Sequence, residues 1–159
     1  MSLFIMHLIL TIVWFALIGD QSLVSLVAGF VIAFAVLWIA KPMFDTKTTY
    51  FHRMFRVIRL INFFIYELIM SSVKVAWDVI TPTDHSNPAV IEMPLDVESE
   101  MEIFLVANLI SLTPGTLTLD VDAKRNCLII HAMFADDVDA LIAELKDGME
   151  YQVKRAFEK

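Results

Sequence analysis

The sequence predicts a membrane α-helical hairpin with two transmembrane helices, then a long amphipathic third helix, then a small α+β domain. That domain is expected to be a cytoplasmic layer sandwich of β-α-β-β-α order. Three observations carry the reading. Two apolar runs, Leu3–Ile18 and residues 22–40, are parted only by Gly19-Asp20-Gln21. Charge is bipartite: residues 1–88 carry a net +1 and residues 89–159 a net −8, against −7 for the whole chain. The acidic half is punctuated like soluble sequence, as in "SLTPGTLTLDVDAKRNCLIIHAMF". The expected division is a membrane region over 1–80, a linker over 81–88 and the α+β domain over 89–159.

The apolar runs come first. Their length comes close to a hydrocarbon core roughly 30 Å thick, and the second run holds no charge. The intervening turn is short enough to force an antiparallel hairpin. Trp14 and Trp38 fall toward the run ends, where interfacial aromatics gather. The amino-terminal stretch lacks Lys and Arg and no small-residue cleavage site follows, so the first run is expected to be retained rather than removed as a signal peptide. Lys41, Lys47, Arg53, Arg56 and Arg59 all follow the second run, and the hairpin turn has no cation. The positive-inside bias therefore places residue 41 onward in the cytoplasm.

The third element, "RMFRVIRLINFFIYELIMSSVKVAWDVI", is predicted as an amphipathic helix over residues 51–80. At 100° per residue, Arg53, Arg56, Glu67, Ser71, Lys74 and Asp78 fall on a stripe about 60° wide. Spanning a bilayer alone would put Glu67 near its middle, at about 2.5–3.5 kcal/mol on insertion scales. Lying in the cytoplasmic interface avoids that cost; so does crossing with the stripe hidden against other subunits. Glu67, Lys74 and Asp78 are candidate intramembrane polar contacts. A proton or cation relay through Glu67 and Lys74 is the sharper alternative, but the stripe runs to both ends of the helix, as a solvated or protein-facing surface would. His7, alone in the first run, is expected to hydrogen-bond a neighbouring helix.

Two prolines and no apolar run make 81–88 a linker, and His85 within it a solvated loop residue. Residues 89–95 read as a strand, with Pro94 marking an edge or a strand end. Ser99 and Glu102 form a capping box ahead of the apolar helix "MEIFLVANLISL". Thr113-Pro114-Gly115-Thr116 ends that helix in a type II turn, with glycine supplying the positive φ. Leu117, Leu119 and Val121 alternate with Thr118 and Asp120, which predicts a half-buried strand with the apolar residues inward. A polar loop at 122–126 returns the chain through a strand over 127–134. A single last helix over 136–157 follows, with Val138, Leu141, Ile142, Leu145 and Met149 at helical spacing. Some 70 residues give only a marginal core, so the domain is expected to lean on the membrane-side helix or on another protein.

Composition excludes several functions. Apolar residues make up 58% of the chain and charged residues 19%, a richer apolar share than the roughly 45–50% of soluble domains. The acidic domain repels nucleic acid. A single cysteine, Cys127, rules out an internal disulfide or a multi-thiolate metal site, and reads as a small buried hydrophobe. Asp120, Asp122 and His131 are the only candidates for a carboxylate–imidazole constellation, and they read as solvated surface. No phosphate loop, nucleophile elbow or spaced metal ligands are present. No cofactor, metal or directly bound small-molecule substrate is expected.

The block "NLISLTPGTLTLDVD", followed at a short distance by "LIIHAMF", closely resembles the E-type subunits of the multisubunit Mrp (Mnh, Pha) cation/proton antiporters of bacteria. The likeness covers the whole architecture. Its signature residues here are Ser111, Leu112, Thr113, Pro114, Gly115, Thr116 and His131. The resemblance implies a multi-pass subunit of the bacterial inner membrane, in an assembly exchanging Na+ or K+ for protons, with membrane lipid and other subunits as partners. It also implies an accessory role in assembly and stability, with no catalytic residue to carry over. Pro114 and Gly115 then make a turn whose backbone groups Thr113 and Thr116 can satisfy. Two other classes compete: a stand-alone membrane-tethered regulatory or protein-binding module, and a membrane enzyme using His131 and Asp120.

Overall fold

The structure, a computed structural model, describes residues 3–43, 50–82 and 86–158. Lys47, His85 and the centre of the expected linker lie outside them. The chain divides into two compact units, Met1–Met54 and Phe55–Lys159. The division falls inside the third helix, not at residues 81–88 where the sequence placed it. The physical reason is that Leu60, Phe63 and Phe64 of that helix pack against the core of the α+β domain.

In the first unit, α1 (Leu3–Ile18) and α2 (Leu23–Ile39) pack against each other across a turn at Gly19, whose φ is 71°. Asp20 fixes the entry to α2 by accepting from the backbone N–H and the hydroxyl of Ser22, at 3.1 and 2.9 Å. The Ser22 hydroxyl oxygen in turn caps the helix by accepting from the Ser25 N–H at 3.1 Å. The residues buried in this unit's helices are mostly small or polar, among them Thr11, Ser25, Gly29 and Ala33. Large side chains such as Leu17, Val24 and Ile39 point outward. His7, fully buried, ties the unit together. Its Nε2 bonds the Phe30 carbonyl at 2.8 Å, and Nδ1 bonds the Tyr50 hydroxyl. A carbonyl can only accept, so Nε2 carries the proton and Nδ1 accepts from tyrosine. Phe51 packs edge-on against Phe34 and Trp38. Among the described residues, no helix is long and apolar enough to cross a membrane; α1 and α2 have 16 and 17 residues.

The second unit takes up α3 (Tyr50–Ile80) from Phe55 onward. A three-stranded antiparallel sheet follows, in the order β1 (Ala89–Pro94), β3 (Cys127–Ala132), β2 (Thr116–Asp122). The helix α4 (Glu100–Leu112) links the two outer strands, so the order is the split crossover expected of β-α-β-β-α. Pro94 closes edge strand β1, and its carbonyl accepts from Lys146 Nζ at 3.1 Å. The core gathers Ile91, Met93, Val106, Ile110, Leu128 and Ile130 between sheet and helices.

Three details differ from expectation. Ser99 is the N-cap of α4, but its side chain makes no capping hydrogen bond. The last helix begins at Val138 and is interrupted: α5 (Val138–Leu145) and α6 (Tyr151–Phe157) are joined by a π-helical turn, Lys146–Glu150. That turn lets Met149, Glu150 and Val153 all be buried. Strand β2 also presents the opposite side from the one predicted. Leu117, Leu119 and Val121 are exposed while Thr118 is half-buried. Threonine faces inward because β2 lies against the carbonyl end of α4, where Thr118 Oγ1 donates to Ala107 O at 3.0 Å and Thr116 Oγ1 to Ile110 O at 2.7 Å.

The seam between α1 and α2 yields a test. A Cβ built on Gly29 would stand 2.5 Å from Trp14 Cδ1, closer than any real packing allows. Gly29→Val is therefore expected to cost about 1–3 kcal/mol through overpacking. It should lower the steady-state amount of the protein in membranes, while Val31→Leu on the exposed side leaves it unchanged. Immunoblotting of membrane fractions checks both.

Candidate functional site

The signature turn is built by hydroxyl groups. Thr113 Oγ1 donates to Leu109 O at 2.9 Å, Thr116 N–H donates to Thr113 O at 3.2 Å, and Ser111 Oγ donates to Ala107 O at 2.9 Å while accepting from Thr118 N–H at 3.0 Å. The last carbonyls of α4, which a helix leaves unpaired, are thus taken up by the turn and by β2. Gly115 has a φ of 90°. A Cβ there would make only ordinary 3.6 Å contacts with Phe134 and Val75, so glycine is required by the backbone rather than by crowding. Leu112 is exposed at the helix end.

This turn forms one wall of a cleft of about 550 Å³. The polar stripe of α3 forms another, through Glu67, Ser71 and Lys74, and α5 with the π turn closes it through Glu144 and Asp147. Lys74 Nζ stands 4.5 Å from the centre of the Phe134 ring, a cation–π contact. Burial first, and the Glu144 carboxylate second, push the Glu67 carboxyl above its ordinary value. Asp78 lies half-buried on the same stripe, one turn beyond Lys74. The cleft thus brings together Thr113, Pro114, Gly115 and Thr116 with Glu67 and Lys74. Among the described residues no group of three or more His, Cys, Asp or Glu side chains could hold a metal ion.

His131 is elsewhere. It pairs across the sheet with Val90 on one side and Leu117 on the other, on the exposed face. A register shift between Thr118 and Asp120 sets Asp120 opposite Ile129 and Asp122 opposite Cys127. The shift puts both aspartates in line with His131, but each is otherwise occupied. Asp120 Oδ1 accepts from Val121 N–H at 2.8 Å. Asp122 Oδ2 accepts from Arg125 Nε at 2.7 Å, and its Oδ1 from the Lys124 and Arg125 N–H groups. The Arg125 bonds hold the Asp122 carboxyl below the usual carboxylate range. Arg125 also bridges to Glu92 at 2.7 Å. This is a pinned hairpin end, without a base aimed at a nucleophile. Cys127 is buried and free.

Two structurally decisive residues escaped the sequence reading. Glu150 is 1% exposed, and its Oε1 accepts from the N–H groups of Asp96 and Val97, at 2.5 and 3.0 Å. Asn126, at φ 50°, donates from Nδ2 to the carbonyls of Leu95 and Val97 at 3.0 and 3.1 Å. Together they clamp the passage from β1 to α4. The available signal for Glu150 was a lone acid beside Met149 and Val153 on an apolar helix face.

Fold and cleft define a class: a helical-hairpin protein carrying a split β-α-β sandwich, with a hydroxyl-held turn at the end of α4. Comparison with known proteins narrows it. Residues 7–156 match the family described as Na+/H+ ion antiporter subunit. The chain is 27% identical over 146 residues to the E-type subunit of the Na+/H+ antiporter of Alkalihalophilus pseudofirmus, covering 92% of each chain. It is 27% identical over 150 residues to that of Bacillus subtilis, covering 94% of each. Among solved structures, it matches a chain of the Mrp complex from a Dietzia species with a TM-score of 0.50 and 30% identity, over 65% of this chain and 97% of that one. A chain of an archaeal membrane-bound sulfane sulfur reductase shares the fold at a TM-score of 0.61 and 24% identity, over 98% of each. The protein belongs to the family of E-type subunits of the multisubunit Na+/H+ antiporters, a family of transporter subunits rather than of enzymes.

The cleft's electrostatics give a pH dependence. A carboxyl whose folded pKa is raised favours folding while it is protonated, and that contribution is lost as pH climbs from the unfolded to the folded value. Thermal stability of the wild-type protein should therefore fall, through Glu67, as pH rises above the ordinary glutamate range of about 4.3 and through the raised folded value. Glu67→Gln should flatten this fall and unfold at a higher temperature at neutral pH. Thermal melts of the two purified proteins across that range check it.

Proposed function

We propose that the protein is a non-catalytic accessory subunit of a multisubunit monovalent cation/proton antiporter, holding other subunits in place rather than moving ions itself. In this reading α1 and α2 cross the bacterial cell membrane as a hairpin, and the α+β unit lies on the cytoplasmic side. At about 1.5 Å per residue the two helices reach roughly 24–26 Å, short of a hydrocarbon core about 30 Å thick, a mismatch that this reading assigns to local thinning of the bilayer. The polar residues next to them and Asp20 in the turn would sit at the interfaces.

The observation that carries the proposal is where the polar side chains go. In α1 and α2 the polar groups His7, Thr11 and Ser25 are buried and the large aliphatic residues mostly face out. That is the arrangement of a chain solvated by lipid and by other hydrophobic helices. The ionisable groups of the cleft all belong to the second unit, and α1 and α2 contribute none of them, which favours support over conduction. Family membership supports the assembly as partner and argues for no separate substrate.

Deletion of the gene for this chain, followed by complementation, tests the role. Loss of the chain should lower the amount of intact complex recovered from native membranes, and cation/proton antiport in vesicles should fall in the same proportion. His131→Ala combined with Asp120→Ala should restore both to near wild type. An intact complex with full antiport in the deletion strain would defeat the proposal. A double variant present at normal levels but inactive in transport would favour an ion-handling or enzymatic role.

A further inference from the structure

The helix α3 is amphipathic in the reverse sense to a helix on a water-soluble domain. Much of its polar stripe is turned toward its own α+β unit: Arg56 reaches the carbonyls of Arg155 and Glu158, and Glu67, Ser71 and Lys74 line the cleft. Its aliphatic side is left outside, with Ile58, Ile61, Ile65, Ile69, Val73 and Trp77 between 45% and 61% exposed. Their spacing of three or four residues makes one continuous apolar ridge. We infer that this outer ridge of α3 is a lipid-contact surface, resting along its length in the interface of the leaflet in which α2 ends, with the α+β unit carried on its polar side. The inference rests on the reading of α1 and α2 as membrane-spanning.

Three observations favour lipid over water or a protein partner. The ridge offers few outward hydrogen-bonding groups: Asn62 and Ser72 are exposed on it, and Ser72 turns its hydroxyl back onto the Leu68 carbonyl at 2.5 Å. The polar groups that remain are those that suit a bilayer interface. Tyr66 and Trp77 are 58% and 61% exposed, amphipathic rings with one polar tip each. The flank at the start of α3 is basic, with Arg53 and Arg59 exposed, which suits anionic headgroups. A protein interface of stable size would instead require roughly one hydrogen bond per 100–200 Å².

The contacts of α3 with its own unit decide between lying along a membrane and crossing it. They run from Arg56, whose Nη1 donates to the carbonyls of Arg155 and Glu158 at 2.9 and 2.7 Å, to Lys74 over the Phe134 ring and Val75 beside Gly115. From Arg56 to Val75 is about 29 Å of helix. Were α3 to cross a bilayer, it would drag β2, an edge strand with unpaired backbone groups, and the acids of the cleft into hydrocarbon, which open sheet edges do not tolerate. Resting on the surface keeps the α+β unit in water while the ridge stays out of it.

The test uses the full chain reconstituted in vesicles of phosphatidylethanolamine with an anionic phosphatidylglycerol fraction. With Cys127 replaced by Ala, single cysteines at Ile61, Ile65, Ile69 and Val73 are nitroxide-labelled, and collision rates with oxygen and with a water-soluble nickel chelate are compared. The expected result is oxygen exposure at all four sites, at one common shallow depth, with a label at Val31 of α2 lying deep. Depth that changes steadily from 61 to 73 would mean that α3 crosses. Protection from both reagents would mean a protein partner, and nickel exposure would mean water. Each of the three overturns the inference. A shallow or wet label at Val31 would instead overturn the membrane reading beneath it. Should the cysteine-replaced chain misfold, Trp14→Phe/Trp38→Phe leaves Trp77 as sole fluorophore. Lipid brominated high on its acyl chain should then quench it more than lipid brominated near the chain end. The reverse order, or no quenching, overturns the inference.

Discussion

Glu67, Ser71 and Lys74 stand on a helix whose opposite side is isoleucine, valine and tryptophan, and no single medium satisfies both sides. The chain resolves this conflict internally. The α+β unit faces the polar stripe with a wall of its own acids, threonine hydroxyls and an aromatic ring, leaving the apolar ridge to whatever lies outside. Every later feature follows from that choice. The signature turn must be rigid because it meets α3. The π turn, with α5 before it, supplies the far wall through Asp147 and Glu144. The sandwich can remain small because Leu60, Phe63 and Phe64 of α3 complete its core.

A core of this size leaves little margin, since small domains bury a lower share of their surface. The two clamps on the β1–α4 passage offset part of that. Glu150 brings a carboxylate into the interior, and two backbone N–H groups meet one of its oxygens; Oε2 has no protein partner. Asn126 adopts the left-handed backbone conformation that asparagine tolerates and directs its amide donors to two carbonyls of the same passage. In the hairpin α1–α2 the corresponding device is His7, which joins three segments through two ring nitrogens. All of these are polar groups turned inward, each fixing a passage between elements.

Much of this was legible in the sequence, for definite reasons. Element order and the Pro-Gly turn could be read because proline and glycine act locally, and the turn over 113–116 depends on nothing distant. The family block could be recognised because its residues are contiguous. What could not be read depended on partners far along the chain. Alternation in β2 gave the wrong face for Leu117 and Thr118 and missed the register shift before Asp120, since only the position of α4 shows that Thr116 and Thr118 have carbonyls to meet. The stripe on α3 was visible, but its covering was not, because Arg56 and its acceptors Arg155 and Glu158 lie about a hundred residues apart. The π turn left no mark beyond one glycine and a misplaced acid. For the same reason, the unit boundary fell within α3 and not at the proline-rich stretch: tertiary packing overrode a local signal.

Cross-linking across the cleft tests the central claim most directly. In native membranes, with Cys127 replaced by Ala, the pair Lys74→Cys/Phe134→Cys should be joined within one chain by a short bifunctional thiol reagent, since Lys74 Nζ lies 4.5 Å from the Phe134 ring centre. The pair Val73→Cys/Phe134→Cys, with the first residue on the outer ridge, should not. Equal yields from the two pairs, or a link at 73 alone, would show that the polar stripe faces away from its own domain and would contradict the account.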